Sequence, residues 1–69
     1  MSNHVYKSIE ITGTSPEGVN QAIDRAVAKA GETIRGLDWF EVTSVRGQIK
    51  DGAVAHYLVT LKLGFRLEE

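Results

Sequence analysis

The chain has 69 residues, which form one domain at most and bury a smaller fraction of their surface than a domain of about 100–150 residues. It has no cysteine, so neither a disulfide nor a thiolate metal site can add stability. The formal net charge of −1, with eight basic and nine acidic residues mixed along the chain, argues against general affinity for nucleic acid or anionic membranes.

The first predicted element is a strand over about residues 5–12. Val5, Ile9 and Ile11 alternate with mostly polar residues, a period of two that is typical of a half-buried strand, and Lys7 is the one misfit on the apolar side. A turn over residues 13–17 is expected to follow this strand.

A helix is predicted after the turn, with Ser15 as the N-cap and Pro16 as its first residue. Thr14 and Glu17 offer a second register as a capping box, and Gly36 is the expected stop. The apolar residues at helical spacing, which should face the core, are Val19, Ile23, Val27, Ala30 and Ile34.

A second strand is predicted from Trp39 to about Lys50. Its apolar residues change parity partway along, and a β-bulge near Thr43 and Ser44 would reconcile the two halves. The Asp51-Gly52 pair that follows is typical of a tight antiparallel hairpin.

The third predicted strand has the clearest alternation. Leu58 lies between polar residues on its even-numbered face, where it is expected to line a pocket if a ligand stacks nearby. The odd-numbered face should be core and comprises Tyr57, Val59, Leu61, Leu63, Phe65 and Leu67. The predicted fold is therefore α+β, in the order β-α-β-β, with a three-stranded antiparallel sheet packed on one helix.

Trp39 is the only tryptophan, and its flat ring suits either a core or a stacked planar ligand. Taken alone, it is more often a core or interface aromatic residue. His4 and His56 have no ligand-spaced partners, so a metal site is not expected. The serines and threonines show no base arrangement for nucleophilic catalysis.

Several short segments, in this order and spacing, closely resemble the bacterial dodecins over nearly the whole chain. These segments are Gly13-Thr14-Ser15, Leu37-Asp38-Trp39-Phe40-Glu41-Val42, Arg46-Gly47 and Gly64-Phe65-Arg66-Leu67-Glu68. The resemblance implies a single domain over residues 1–69, a sheet wrapped around the helix, and a hollow homododecamer. Such an assembly would cover the apolar surface that one short helix leaves exposed.

The resemblance also implies a flavin site between subunits, with FMN or riboflavin as the ligand. Pairs of flavins would stack between two symmetry-related copies of Trp39, which would quench them. The implied role is storage and sequestration of flavin rather than catalysis, because a sandwiched ring leaves little room for a substrate. A flavin-dependent redox enzyme is the competing class.

The chain departs from the family at Leu58, where dodecins usually carry a glutamine that bonds the pyrimidine edge of the flavin. Losing that partner costs roughly 1–3 kcal/mol, so weakened or altered flavin binding is expected. The alternative is a dodecameric shell whose ligand is another planar molecule or coenzyme A.

Seven further residues complete the expected ligand contacts, four for the flavin and three for coenzyme A. Arg46 and Arg66 match basic positions near ligand phosphates or subunit contacts in the relatives, and ion pairs with Glu41, Glu68 or Glu69 are the competing interpretation. Glu41 and Gln48 are also candidate flavin contacts. Coenzyme A contacts, by resemblance to some bacterial dodecins, are expected at His4, Tyr6 and Lys7.

The expected location is the cytoplasm. The first four residues lack the regions of a secretory signal, and no apolar run approaches the ~18–20 residues that span a bilayer. No membrane or nucleic-acid partner is expected, and the expected protein partner is the chain itself.

Overall fold

A computed structural model describes residues 3–67 of the chain. The elements are β1 (Val5–Ser15), α1 (Val19–Gly31), β2 (Leu37–Lys50) and β3 (Ala53–Leu67). The three strands form one sheet in the order β1-β3-β2, and both pairings are antiparallel. The predicted β-α-β-β fold is confirmed.

The hairpin between β2 and β3 follows the local sequence signals. Asp51 and Gly52 adopt φ angles of 53° and 77°, the left-handed conformations that a tight two-residue hairpin loop requires. The pairing of β2 with β3 shifts register between Val42 and Ser44, so the β-bulge expected near Thr43 is confirmed. Two further shifts occur in β2, after Leu37 and after Gln48.

The helix begins later than the sequence analysis predicts. Its first residue is Val19 and its N-cap is Gly18, without a side-chain capping bond. Ser15 is instead the fully buried last residue of β1, where it pairs with Tyr57. Its hydroxyl accepts a bond of 3.0 Å from the Glu17 backbone N–H. The prediction that Ser15 is the N-cap is therefore wrong, because the pairing of β1 with β3 extends to Ser15, where the helix was expected to start.

The predictions of a capping box at Thr14 and Glu17 and of a helix stop at Gly36 are also wrong. Thr14 lies in β1 opposite Leu58, so it cannot cap the helix. The helix ends at Gly31, five residues before Gly36. Gly36 instead has a φ of 78° in the link to β2, where its carbonyl accepts a 3.0 Å bond from the Arg66 N–H.

The core lies between the helix and the odd-numbered face of β3, as predicted for that strand. Val59, Leu61 and Leu63 are almost fully buried there, whereas Leu67, which was also expected in the core, is 42% exposed at the end of the strand. On the helix, however, the most buried residues are the alanines Ala22, Ala26 and Ala30, while the larger residues of the predicted stripe are only partly buried. Small side chains bring the helix close to the sheet, and the larger ones flank the contact.

Gly13 of β1 allows this close approach. A Cβ atom at this position would overlap the Ala22 carbonyl oxygen and lie 2.9 Å from the Ala26 Cβ. A glycine inside a strand often marks such a contact between backbones. Gly13 therefore determines how closely α1 lies on β1.

The helix covers only part of the sheet. It packs on β1 and β3, which leaves apolar side chains of β2 such as Phe40, Val45 and Ile49 between 49% and 73% exposed. The radius of gyration is 14.3 Å, whereas about 11 Å is expected for a compact chain of this length. A single subunit is thus extended and leaves a large apolar surface uncovered. In the part of the chain that the structure describes, no helix is long and apolar enough to cross a membrane.

Candidate functional site

The sheet surface that faces away from α1, here called the helix-free face, carries all six predicted flavin-contact residues. Opposed residues of antiparallel strands point to the same side, and the even-numbered residues of β3 point away from the helix. The β2 residues paired with them are Trp39 opposite Gly64, Glu41 opposite Lys62, Arg46 opposite Leu58, and Gln48 opposite His56. Arg66, the sixth residue, lies on the same face of β3 and pairs with Tyr6 of β1.

Trp39 lies directly over Gly64. A Cβ atom at position 64 would overlap the indole atoms Cε2 and Cζ2. The ring therefore occupies the space that any other residue at position 64 would fill with its own side chain. The sheet therefore supports the indole from beneath. Because Trp39 remains 41% exposed, the ring also keeps an open surface for a planar ligand.

Tyr6 flanks the indole from the opposite outer strand. The two ring centroids are 6.1 Å apart with an interplanar angle of 67°, an edge-to-face arrangement. The Tyr6 hydroxyl donates a 2.9 Å hydrogen bond to Oδ2 of Asp38, the residue next to Trp39. The hydrogen bond to the Asp38 carboxylate raises the pKa of Tyr6 above its ordinary value, with smaller contributions from desolvation and from the negative charge of Asp38, while the positive charge of Arg66 opposes the shift.

His4 extends this row of rings. Its ring lies 6.4 Å from that of Tyr6 at 69°, and its Nε2 lies 3.2 Å from Nη1 of Arg66. A guanidinium can only donate, so this contact requires the neutral form of His4 with Nε2 as the acceptor. This contact positions the Arg66 guanidinium at the end of the sheet that carries Trp39.

The structure separates the six predicted residues into two groups. Trp39 and Arg66 lie at one end of the helix-free face, with Glu41 two residues from Trp39. Leu58 lies six residues from Gly64 along β3, which corresponds to about 20 Å of strand at roughly 3.3 Å per residue. Arg46 and Gln48 share the Leu58 end. One tricyclic ring cannot touch both Trp39 and Leu58 of the same subunit.

Two groupings from the sequence analysis are not reproduced. Lys7 lies opposite Phe65 on the helix side of the sheet, so it does not share a face with His4 and Tyr6 as one coenzyme A site would require. Within residues 3–67, neither Arg46 nor Arg66 forms an ion pair with Glu41, and the ion pair present joins Lys29 to Glu32 at 3.6 Å. The alternative partners Glu68 and Glu69 lie outside the described residues.

Sequence reasoning missed the contributions of Gly64 and Asp38. Gly64 lies inside β3 beneath a large ring. A glycine within a strongly alternating strand is the signal that could have found it, because such a glycine often marks close approach. Asp38 gave no such signal, since its partner Tyr6 is 32 residues away.

Comparison with known proteins identifies a family. The dodecin family model matches residues 5–68. A curated dodecin from Thermus thermophilus is 54% identical over 65 residues, which cover 94% of each chain. The solved structure of dodecin from Streptomyces coelicolor is 67% identical, with a TM-score of 0.93 and coverage of 100% of this chain and 99% of that one.

A more distant solved structure is that of a calcium-binding relative. It is a calcium-chelating dodecin from Mycobacterium tuberculosis with a calcium-binding site, 29% identical, with a TM-score of 0.80 and coverage of 93% of this chain and 91% of that one. Across residues 3–67 of the present chain, no group of three or more His, Cys, Asp or Glu side chains is placed to hold a metal ion. The family match and the close structural likeness together show that the chain belongs to the dodecins, which are small ligand-binding proteins and not enzymes.

Proposed function

We propose that this chain binds a flavin, FMN or riboflavin, on Trp39 at contacts between subunits of a homododecamer, and that it stores and sequesters the flavin. The observation that carries the proposal is the indole of Trp39, which rests on Gly64 and is 41% exposed. A supported, open aromatic ring is the surface on which a planar ligand stacks. A two-fold axis between subunits would supply a second ring to close the stack.

The separation of Trp39 from Leu58 supports a site shared between subunits. Because about 20 Å of strand lies between the two positions, a flavin on Trp39 can meet Leu58 only if Leu58 comes from another copy. Arg46 and Gln48 would enter the site with Leu58, since they lie at the same end of the helix-free face. Arg66 and Glu41 would enter it with Trp39.

Assembly into a shell is supported by the uncovered apolar side chains of β2. Val42 and Val45 point to the helix side of the sheet but are 37% and 55% exposed, because α1 lies over β1 and β3. Burial of such surface against other copies would stabilise a chain too short to bury it alone. The dodecamer, like the cytoplasmic location and the single domain over residues 1–69, remains a prediction.

The second candidate function is a dodecameric shell with weakened or redirected ligand binding, and Leu58 is the observation that favours it. The residue is partly buried on the helix-free face opposite Arg46. Its side chain offers no hydrogen bond to the pyrimidine edge of a flavin. Such a shell would keep the assembly and take another planar ligand or coenzyme A.

Leu58→Gln is expected to tighten FMN binding about 5-fold or more, because a buried polar edge that lacks a partner costs roughly 1–3 kcal/mol. Leu58→Met is the matched control, since methionine resembles glutamine in length and shape but has no amide. Fluorescence titration of FMN against both variants measures the difference. Equal affinity in the Gln and Met variants would contradict the assigned position of Leu58 at the pyrimidine edge.

The proposed function itself is tested by titrating FMN and riboflavin fluorescence with ligand-free protein, beside light scattering for the mass of the assembly. We expect strong quenching that saturates near one flavin per subunit of a dodecamer. An intact dodecamer that leaves flavin fluorescence unchanged would instead support the shell with a redirected ligand. A monomeric chain would contradict both candidates.

A further inference from the structure

We propose that Tyr6 and Asp38 form a positioning bridge that fixes the orientation of the Trp39 indole before a ligand arrives. The inference rests on the proposed function, because the orientation matters only if a planar ligand stacks on Trp39. It assigns a role to the Tyr6–Asp38 pair beyond the six residues expected to touch the flavin.

The bridge depends on the register of the sheet. Tyr6 belongs to β1 and Trp39 to β2, the two outer strands, and the central strand β3 lies between them. Tyr6 lies opposite Arg66 and Trp39 opposite Gly64, so the two rings meet diagonally over β3, where Gly64 has no side chain beneath the indole. A larger residue at position 64 would overlap the indole and displace it from this contact.

A register shift makes Asp38 available to Tyr6. Leu37 pairs with Phe65 and Trp39 with Gly64, so Asp38 is an extra residue in β2. An extra residue of this kind redirects side chains from strict alternation. The Asp38 carboxylate accordingly accepts the Tyr6 hydroxyl at 2.9 Å, on the face where the Trp39 ring lies.

The chemistry of the pair suits a persistent contact near neutral pH. A carboxylate only accepts, and a phenol whose pKa is raised stays protonated as the donor. Hydrogen bonds to an ionised acceptor are stronger than those between neutral groups. The bonded Tyr6 ring then meets the indole at 67° and limits its side-chain rotation.

Orienting an exposed ring in advance removes an ordering cost from ligand binding. Immobilising a side chain on binding typically reduces affinity about 2- to 10-fold. Tyr6 and Asp38 are therefore positioning residues, and loss of either partner should loosen Trp39 and weaken flavin binding within that range.

The test uses the full chain and the fluorescence of its only tryptophan. Tyr6→Phe removes the hydroxyl but keeps the ring, Asp38→Ala removes the acceptor, and Asp38→Asn keeps an acceptor oxygen as the conservative rescue. In ligand-free protein, we expect Tyr6→Phe and Asp38→Ala to increase fast motion of Trp39 in time-resolved fluorescence anisotropy. FMN affinity should fall about 2- to 10-fold in both variants, and Asp38→Asn should retain most of it.

The double variant Tyr6→Phe with Asp38→Ala should lose no more affinity than either single variant, because both changes remove the same bond. Unchanged Trp39 motion in both single variants would overturn the proposal, even if affinity fell, since a direct ligand contact would explain that loss. If the parent protein binds no flavin but the variants still loosen Trp39, the bridge stands and the proposed function fails.

Discussion

Replacing Trp39 with alanine is expected to reduce FMN affinity about 30-fold or more, as removal of a central stacked aromatic residue commonly does. The substitution removes the ring on which the ligand is proposed to lie, while the sheet beneath it at Gly64 is unchanged. Trp39 is 41% exposed and is not part of the buried core of Val59, Leu61 and Leu63. The fold and assembly should therefore persist.

Fluorescence titration with FMN measures this loss, and light scattering checks that the assembly keeps its mass. Trp39→Phe is the matched variant, because it keeps a flat ring of smaller area and should bind with intermediate affinity. An alanine variant that binds FMN as tightly as the parent would show that the ligand does not stack on this residue.

Gly64→Ala is expected to weaken FMN binding about 10-fold or more, because it displaces the Trp39 ring, which is proposed to be a binding hot spot. The new methyl group would act through the ring and would not itself contact the ligand. The new methyl group would overlap indole atoms, so Trp39 has to leave its position on the sheet. Inserting a methyl group into packed space typically costs about 1–3 kcal/mol of stability. We expect the lower part of that range, because the half-exposed ring can swing towards solvent.

A double-mutant cycle with Trp39→Ala separates this clash from other effects of an added methyl group. With the ring absent, Gly64→Ala should be neutral or stabilise by about 0.4–1 kcal/mol through reduced entropy of the unfolded chain. Gly47→Ala is the control within the same sheet, since a Cβ there would lie 3.5 Å from the His56 carbonyl oxygen, an ordinary contact. Urea unfolding at one fixed protein concentration measures each corner of the cycle. A destabilisation of equal size with and without the indole would contradict the proposed overlap.

The local features of this fold could be predicted from short stretches of sequence. The period-two alternation of β3, the Asp51-Gly52 turn and the parity change near Thr43 each involve residues that are close in the chain, and all three appear in the structure. The family resemblance was likewise carried by contiguous motifs, and the comparisons confirm it. The flavin-contact roles of Trp39, Leu58 and the other candidate residues stay predictions.

The boundaries of the helix could not be predicted in the same way. Ser15 and Pro16 form a good local signal for a helix start, but pairing of β1 with β3 continues to Ser15 and delays the helix to Val19. The strand bonds of β1 depend on residues more than 40 positions away in sequence, which no local pattern contains. Competition between local propensity and long-range pairing decided this boundary.

The layout of the candidate site was likewise decided by strand register. Pattern reasoning identified Trp39 and Leu58 on strands, but the pairing of Trp39 with Gly64 places the two at opposite ends of one face. The same register brings Tyr6 and Asp38, 32 residues apart, into a hydrogen bond. Alternation tells which side of a strand a residue occupies, whereas only the assembled sheet determines which residues of other strands lie beside it.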